Sequence, residues 1–128
     1  MEADIISLHA LVTDQTRNMI NAQTIAKMKD GVLIINAARG KLINNADLAE
    51  ALKSGKVGGA ALDVYDVEPP SPDNPLLNLD NVIYTPHLGA STREAQAAVA
   101  RQAAEQVVDA LLRSQYHNVR NRLMQEGL

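Results

Sequence analysis

Four short runs of aliphatic residues recur along the chain, at residues 4–9, 32–36, 60–64 and 82–85. None of them alternates cleanly between apolar and polar positions. Continuous runs of this length, rich in Ile and Val, are typical of strands in a parallel sheet whose two faces are both covered. We therefore predict four buried, parallel strands.

Two helices with clear end signals are predicted between these strands. The first has Asn21 as its N-cap and Gly31 just beyond its end, and the second runs from Asn44 or Asn45 to Gly55. An asparagine side chain at the N-cap accepts a hydrogen bond from a free backbone N–H of the first turn. Glycine adopts the left-handed backbone that commonly ends a helix.

A third helix is predicted near the carboxyl end of the chain. It starts at Ser91, where Glu94 completes the spacing of a capping box, and it runs to about Arg113. Four apolar residues recur at every fourth position and predict one buried stripe: Val99, Ala103, Val107 and Leu111. Residues 114–128 lose this periodicity, so we expect an extended or mobile tail.

The order of these elements defines the fold class. Strands that alternate with helices are joined by right-handed crossovers, which predicts an α/β domain over residues 1–113, with an open parallel sheet of about four strands and flanking helices. Four prolines make residues 68–76 a stiff loop, because proline cannot continue a helix or a central strand. Ligands of such sheets bind beyond the carboxyl ends of the strands.

Composition narrows the function further. Fifteen acidic and 12 basic side chains leave a net charge of −3 without a basic run, so nucleic-acid binding is not expected. The absence of cysteine excludes disulfides and thiolate metal sites, and no metal site is predicted. No apolar run is long enough to span a membrane, so no membrane partner is expected and we predict a cytoplasmic protein.

Three polar clusters follow successive strands, at residues 36–40, 63–70 and 85–90. Crossover topology brings all three to one edge of the sheet. They supply Arg39, a carboxylate from Asp63 or Glu68, and His87. A guanidinium holds a carboxylate through two parallel hydrogen bonds, and a histidine next to a carboxylate exchanges protons near neutral pH. This set suits proton transfer to an oxo-acid.

Each of these residues also fits an ordinary structural role. Arg39 is suited to binding a surface acid, the two carboxylates to capping turns, and His87 to a single backbone hydrogen bond in its loop. Their common placement at one edge of the sheet favours a functional site over these alternatives.

Five motifs in matching order carry a resemblance to a known family. They are ADIISLH at 3–9, GVLIINAARG at 31–40, GAALDVY with EPP at 59–70, NPLL at 74–77 and TPHLGAST at 85–92. The chain resembles the carboxyl-terminal half of the NAD-binding domain of the D-2-hydroxyacid dehydrogenases, and most of all the D-3-phosphoglycerate dehydrogenase branch. The resemblance implies a partial Rossmann-like fold, NAD as cofactor, and hydride transfer to or from a D-2-hydroxy acid such as 3-phosphoglycerate.

The resemblance also implies roles for individual residues. Arg39 would grip the carboxylate and carbonyl of a small 2-hydroxy or 2-oxo acid, His87 would exchange the proton of the 2-hydroxyl, and Glu68 would hold the imidazole. Asp63 would bind the nicotinamide carboxamide. The residues expected to contact the cofactor are Ala10, Ala37, Ala38, Arg39, Asp63, His87, Leu88, Gly89 and Ala90.

The positions of the glycines show that part of the expected NAD-binding site is missing from this sequence. No three of the seven have the G-x-G-x-x-G spacing that binds a pyrophosphate at a helix N-terminus. We therefore predict a fragment of an oxidoreductase that is inactive alone, partnered by the missing half of the enzyme. Two alternatives stay open: a non-enzymatic module that self-associates through the edge strand at Ile5–Leu8, and a corepressor-like member of the same superfamily.

Overall fold

A computed structural model describes residues 2–117 of the chain. The chain divides into two compact units, Met1–Gly89 and Ala90–Leu128. The first unit is α/β, with all four strands in one sheet, which confirms the predicted fold class. Of the predicted tail, residues 118–128 lie outside the described residues. The assignment of residues 1–113 to one domain stays a prediction.

The sheet contains β1 (Ile5–Leu8), β2 (Val32–Asn36), β3 (Val57–Leu62) and β4 (Val82–Tyr84). Its spatial order is β1-β2-β3-β4, and every neighbouring pair is parallel. The carboxyl ends of all four strands therefore meet at one edge of the sheet.

The third strand begins three residues before its predicted start. Val57 is fully buried, but Gly58 and Gly59 interrupt the apolar pattern and conceal the beginning of β3. A Cβ atom at Gly58 would lie 2.7 Å from the carbonyl oxygen of Gly31. Glycine is therefore required where the turn before β2 passes over β3.

Two helices belong to the first unit. Helix α1 (Ala22–Ala26) has Asn21 as its N-cap, and α2 (Asn45–Lys53) has Asn44. Both asparagine side chains accept hydrogen bonds from backbone N–H groups of the first turn, as the sequence predicts. Helix α1 ends one turn earlier than expected.

The core of this unit lies on one face of the sheet. Ile25 and Leu48 of the helices pack with the buried strand residues Val32, Ile34 and Val57. The strands are not covered on both faces as predicted. Along β2, buried residues alternate with Leu33 and Ile35, which are 44% and 38% exposed. The run of four aliphatic residues at 32–35 hides this alternation, because both faces of the strand have the same composition.

The second unit contains α3 (Arg93–Arg113). Its N-cap is Thr92, whose hydroxyl accepts a hydrogen bond from the Ala95 backbone N–H at 3.1 Å. The predicted capping box of Ser91 and Glu94 is wrong, because the N-cap lies one residue later and the residue three positions after it, Ala95, has no side chain that could complete a box. No residue of α3 is buried, so the predicted buried stripe is also wrong. No helix among residues 2–117 is long and apolar enough to cross a membrane.

Candidate active site

Three predicted site residues come together beyond the carboxyl ends of the strands. Arg39, Glu68 and His87 line one cavity of about 460 Å³. They follow β2, β3 and β4 respectively, so parallel topology accounts for their convergence. The cavity wall brings a guanidinium, a carboxylate and an imidazole within reach of one small ligand.

The position of Arg39 depends on the next residue, Gly40, whose backbone lies directly against the backbone of Tyr65. A Cβ atom at Gly40 would lie 1.9 Å from the carbonyl carbon of Tyr65, so only glycine lets these two backbones touch. The buried Asn36 side chain then fixes the loop, since its Nδ2 donates to the Arg39 carbonyl at 3.0 Å and its Oδ1 accepts from Ala38 N–H at 3.1 Å. Arg39 is thereby brought close to the loop that carries Glu68.

His87 and Glu68 form a hydrogen-bonded pair. Nδ1 of His87 lies 2.8 Å from Oε2 of Glu68, and Oε1 of Glu68 accepts from the Tyr65 backbone N–H at 3.0 Å. These two bonds, the backbone one first, lower the pKa of Glu68 below its usual range. An ionised carboxylate can only accept, so Nδ1 carries a proton and Nε2 is the nitrogen left for exchange.

The backbone at His87 is strained. Its φ of 56° lies in the left-handed region that residues other than glycine rarely adopt. Asp63 holds the surrounding loop, because its carboxylate accepts from Thr85 Oγ1 at 2.6 Å, from Leu88 N–H at 2.8 Å and from Gly89 N–H at 3.2 Å. These hydrogen bonds, led by the one from Thr85, lower the pKa of Asp63. Such strain persists where neighbours enforce it, as is common at functional sites.

Two positioning residues were missed by the sequence reasoning. The Tyr65 hydroxyl donates to the Thr85 carbonyl at 3.0 Å and so ties the loop of Glu68 to the loop of His87. Burial is the main cause that raises the pKa of Tyr65. The second is Asn36, which is 1% exposed. A polar residue at the end of an apolar strand was the available signal for Asn36, whereas Tyr65 has no signal beyond its place in a matching motif.

The predicted cofactor residues do not all lie at one place, and Arg39 and His87 line the cavity described above. Ala37 and Asp63 line a groove of about 220 Å³ at the ends of β2 and β3, together with Ile35, Ala61 and Ile83. Ala10 and Ala38 are partly buried against the core, while Leu88 and Gly89 adjoin Asp63. Ala90 belongs to the second unit.

The groove is suited to one end of a dinucleotide. Its wall is mostly apolar, which suits a planar ring such as nicotinamide, and Asp63 is one of the residues that line it. Three N–H or O–H groups already occupy that carboxylate, two of them on Oδ1. Oδ2 accepts only one of these bonds, so it has room for a carboxamide N–H.

A parallel sheet with a polar cavity beyond the carboxyl ends of its strands is typical of α/β domains that bind nucleotides. Residues 1–89 match the family described as D-isomer specific 2-hydroxyacid dehydrogenase, NAD binding domain, and the chain belongs to this family.

Several proteins that are similar to this chain are named for an enzymatic activity. The chain is 55% identical over 107 residues to D-3-phosphoglycerate dehydrogenase of Archaeoglobus fulgidus, covering 84% of this chain and 20% of that protein. It is 53% identical to hydroxypyruvate reductase of Thermotoga maritima, covering 83% and 35%. The crystal structure of Aquifex aeolicus D-lactate dehydrogenase with NAD and lactic acid matches with a TM-score of 0.77 and 36% identity, covering 88% and 38%. The chain thus spans well under half of each relative's length.

Proposed function

We propose that this chain supplies the acid/base and nicotinamide side of an NAD-dependent oxidoreductase acting on a D-2-hydroxy acid. The observation that carries the proposal is the convergence of Arg39, Glu68 and His87 on one cavity. A hydroxy-acid dehydrogenase needs one group that binds a carboxylate and one that removes the hydroxyl proton while hydride leaves the same carbon. The cavity holds both groups.

Arg39 binds the substrate carboxylate in this proposal. Among the contacts of residues 2–117, one of its five N–H donors is used, from Nη1 to the Ala38 carbonyl at 2.6 Å. The planar guanidinium keeps further donors for two parallel hydrogen bonds to a carboxylate, which fixes the orientation of the substrate.

His87 transfers the proton. Glu68 accepts from Nδ1, so Nε2 takes the hydroxyl proton when the alcohol is oxidised and returns it when the ketone is reduced. The ionised Glu68 stabilises the imidazolium that forms in the first direction. Its second hydrogen bond, from Tyr65 N–H, keeps the carboxylate in place while the imidazole changes charge.

NAD, when bound, accepts or supplies the hydride. Ala37 and the neighbouring apolar wall would hold the nicotinamide ring, and Asp63 would orient its carboxamide through Oδ2. The chain contains no G-x-G-x-x-G sequence for the pyrophosphate. We therefore expect the chain alone to bind NADH with a Kd above about 0.1 mM. Fluorescence titration of NADH measures this value, and tighter binding would contradict the expectation.

A chimeric enzyme tests the proposed reaction. This chain would replace the matching 107 residues of the Archaeoglobus fulgidus D-3-phosphoglycerate dehydrogenase, and NADH formation from D-3-phosphoglycerate would be measured. We expect an active chimera that loses activity on Arg39→Gln. A chimera that binds both substrates yet forms no NADH, or one that keeps its activity with Arg39→Gln, would overturn the proposal.

The edge strand β1 supports a second proposal, concerning partners. β1 pairs with β2, and no strand among residues 2–117 pairs with its other side. Ile5 is 58% exposed. A free apolar edge pairs readily with a further strand, so we propose that either the remaining half of the enzyme or a second copy of the chain binds there.

A further inference from the structure

The cavity of about 460 Å³ contains two opposite charges that do not pair. Asp66 lines this cavity together with Arg39. The two backbones are in contact, since a Cβ atom at Gly40, the residue after Arg39, would lie 2.3 Å from the backbone nitrogen of Asp66. Among residues 2–117, however, no ion pair joins Asp66 to Arg39 or to another cation. Opposite charges so close attract each other, so a competing contact is expected to hold the two side chains apart.

Asn45 supplies the competing contact for Asp66. Asn45 is the first residue of α2, and its Nδ2 donates to Oδ1 of Asp66 at 2.9 Å. The two residues are 21 positions apart in the chain, so this bond ties the loop after β3 to the amino end of α2. A helix N-terminus carries a partial positive charge, which favours a carboxylate at this position. Asp66 is therefore attracted to the start of α2.

The guanidinium of Arg39 stays available as a result. Its one hydrogen bond among residues 2–117 goes to the carbonyl of the preceding residue, Ala38. Two acids line the cavity, Asp66 and Glu68, and Glu68 is paired with His87. Asp66 is thus the acid of this cavity that could compete for Arg39 with the carboxylate of a substrate.

We propose that Asn45 is a positioning residue that keeps Asp66 away from Arg39, so that Arg39 is free to bind the carboxylate of the substrate. The inference rests on the proposed function, because that function assigns the substrate carboxylate to Arg39. It goes beyond the proposed function by giving the first turn of α2 a part in substrate binding. Loss of the Asn45 hydrogen bond would release a carboxylate that competes with the substrate for the same guanidinium.

The substitution Asn45→Asp tests the proposal in the chimeric enzyme. It removes the N–H donor, and the new carboxylate repels Asp66. An acid in the first turn is favourable to a helix, so the variant should fold. We expect the KM for D-3-phosphoglycerate to rise about two- to fivefold, which is the range that exposed ion pairs supply. The kcat and the KM for NAD should stay unchanged, because competition for the substrate carboxylate weakens binding alone.

A double variant exchanges the roles of the two side chains. When Asn45→Asp is combined with Asp66→Asn, the amide at position 66 can donate to the carboxylate at position 45. The hydrogen bond is then restored and the negative charge lies at the start of α2, so the KM should return to its original value. Asp66→Asn alone removes the competing charge and should not raise the KM.

Asn74→Asp is the matched control. It makes the same chemical change in the neighbouring cavity of about 610 Å³, which Asn74 lines. Its carboxylate keeps an acceptor oxygen for the backbone N–H of Leu76, to which the Asn74 side chain is bonded at 3.0 Å. This variant should leave the KM for D-3-phosphoglycerate unchanged.

NMR spectroscopy of the 128-residue chain detects the ion pair without substrate or cofactor. The Nε–H signal of Arg39 responds to a carboxylate that binds the guanidinium. We expect Asn45→Asp to shift this signal and the double variant to return it. Sodium chloride at about 1 M, which screens exposed charges, should also return it.

The remaining outcomes separate this proposal from the proposed function. Arg17, from the loop after β1, and Lys41 also line the cavity and could bind a released Asp66. Asn45→Asp would then change neither the Arg39 signal nor the KM, and the inference would be overturned. A fall in kcat, or a raised KM that the double variant does not restore, indicates a merely structural role and overturns it as well. If the Arg39 signal shifts and returns as expected while the KM stays constant, the role of Asn45 stands and the proposed function is contradicted.

Discussion

Nδ1 of His87 lies 2.8 Å from Oε2 of Glu68. The two residues are 19 positions apart in the chain, on loops that follow different strands, so this contact exists only in the folded sheet. It leaves Nε2 as the exchanging nitrogen of a histidine whose own backbone is left-handed, with a φ of 56°. A hydrogen-bonded pair held by strained backbone at a cavity wall is the arrangement expected of an acid/base site.

Removing the imidazole should slow the reaction far more than it weakens binding. In the chimeric enzyme we expect His87→Ala to lower kcat by about 10²- to 10⁴-fold, because proton transfer is lost. The KM for NAD should change little. Steady-state kinetics measures both values, and a variant with unchanged kcat would remove His87 from the proposed role. Lys27→Ala, at an exposed position that lines neither the cavity nor the groove, is the control.

The close contact at Gly40 should make this position intolerant of a side chain. The added Cβ of Gly40→Ala would meet the Tyr65 carbonyl carbon at 1.9 Å, so the backbones must separate. We expect a loss of about 1–3 kcal/mol in the free energy of unfolding, measured with urea. Gly59→Ala is a milder control, since its nearest contact would be 3.2 Å. Equal losses for the two variants would contradict the argument.

The loop that carries His87 should weaken in acid. The hydrogen bonds to Asp63, the one from Thr85 Oγ1 first, lower the pKa of this carboxyl in the folded state. The stability that they provide is complete above the ordinary carboxyl pKa of about 4 and is lost as the pH falls through the lowered pKa. Asp63→Asn should therefore flatten the fall in unfolding free energy at acid pH.

A second variant, Glu68→Gln, tests whether both carboxylates contribute to the loss of unfolding free energy in acid. The pKa of Glu68 is also lowered, first by the Tyr65 N–H and then by His87, so its stabilisation is lost in the same direction. Each single variant should remove part of the loss in unfolding free energy that occurs as the pH falls. The double variant should remove more of this loss than either single variant. An Asp63→Asn chain with the wild-type pH dependence would show that these hydrogen bonds do not stabilise the fold.

The free edge of β1 should promote association of the isolated chain. We expect light scattering to detect dimers or larger species, and Ile5→Lys to reduce them, because a charged edge residue opposes strand pairing. Ile5 is 58% exposed and thus suits this test, whereas Ile6 packs against the core. Leu33→Lys is the matched control, because Leu33 pairs with Ile5 in register but belongs to the inner strand β2.

The two variants distinguish edge pairing from contact through the open sheet face. Association that Ile5→Lys removes and Leu33→Lys leaves intact supports the edge. Loss in both variants indicates the apolar face instead. A wild-type chain that is monomeric at every concentration would contradict self-association.

The sequence by itself determined the order and type of the elements, because apolar runs, N-cap asparagines and loop glycines act over a few neighbouring residues. It also indicated that Arg39 and His87 share one edge, since parallel crossovers place successive strand ends together. From the residues alone, however, Asp63 and Glu68 were equivalent candidates for the carboxylate partner. Both follow β3, and spacing along a loop does not reveal which carboxylate reaches the imidazole.

Tertiary structure decided the contacts that depend on distant backbone. It assigned Glu68 to His87 and Asp63 to the loop of Leu88, and it brought Arg17 to the same cavity from the loop after β1. It also left large aliphatic residues on one face of the sheet exposed, among them Ile5, Leu33 and Ile83. The physical reason is the same in each case: local patterns record how a segment folds, whereas loop paths and the covering of a sheet depend on packing between segments far apart in sequence.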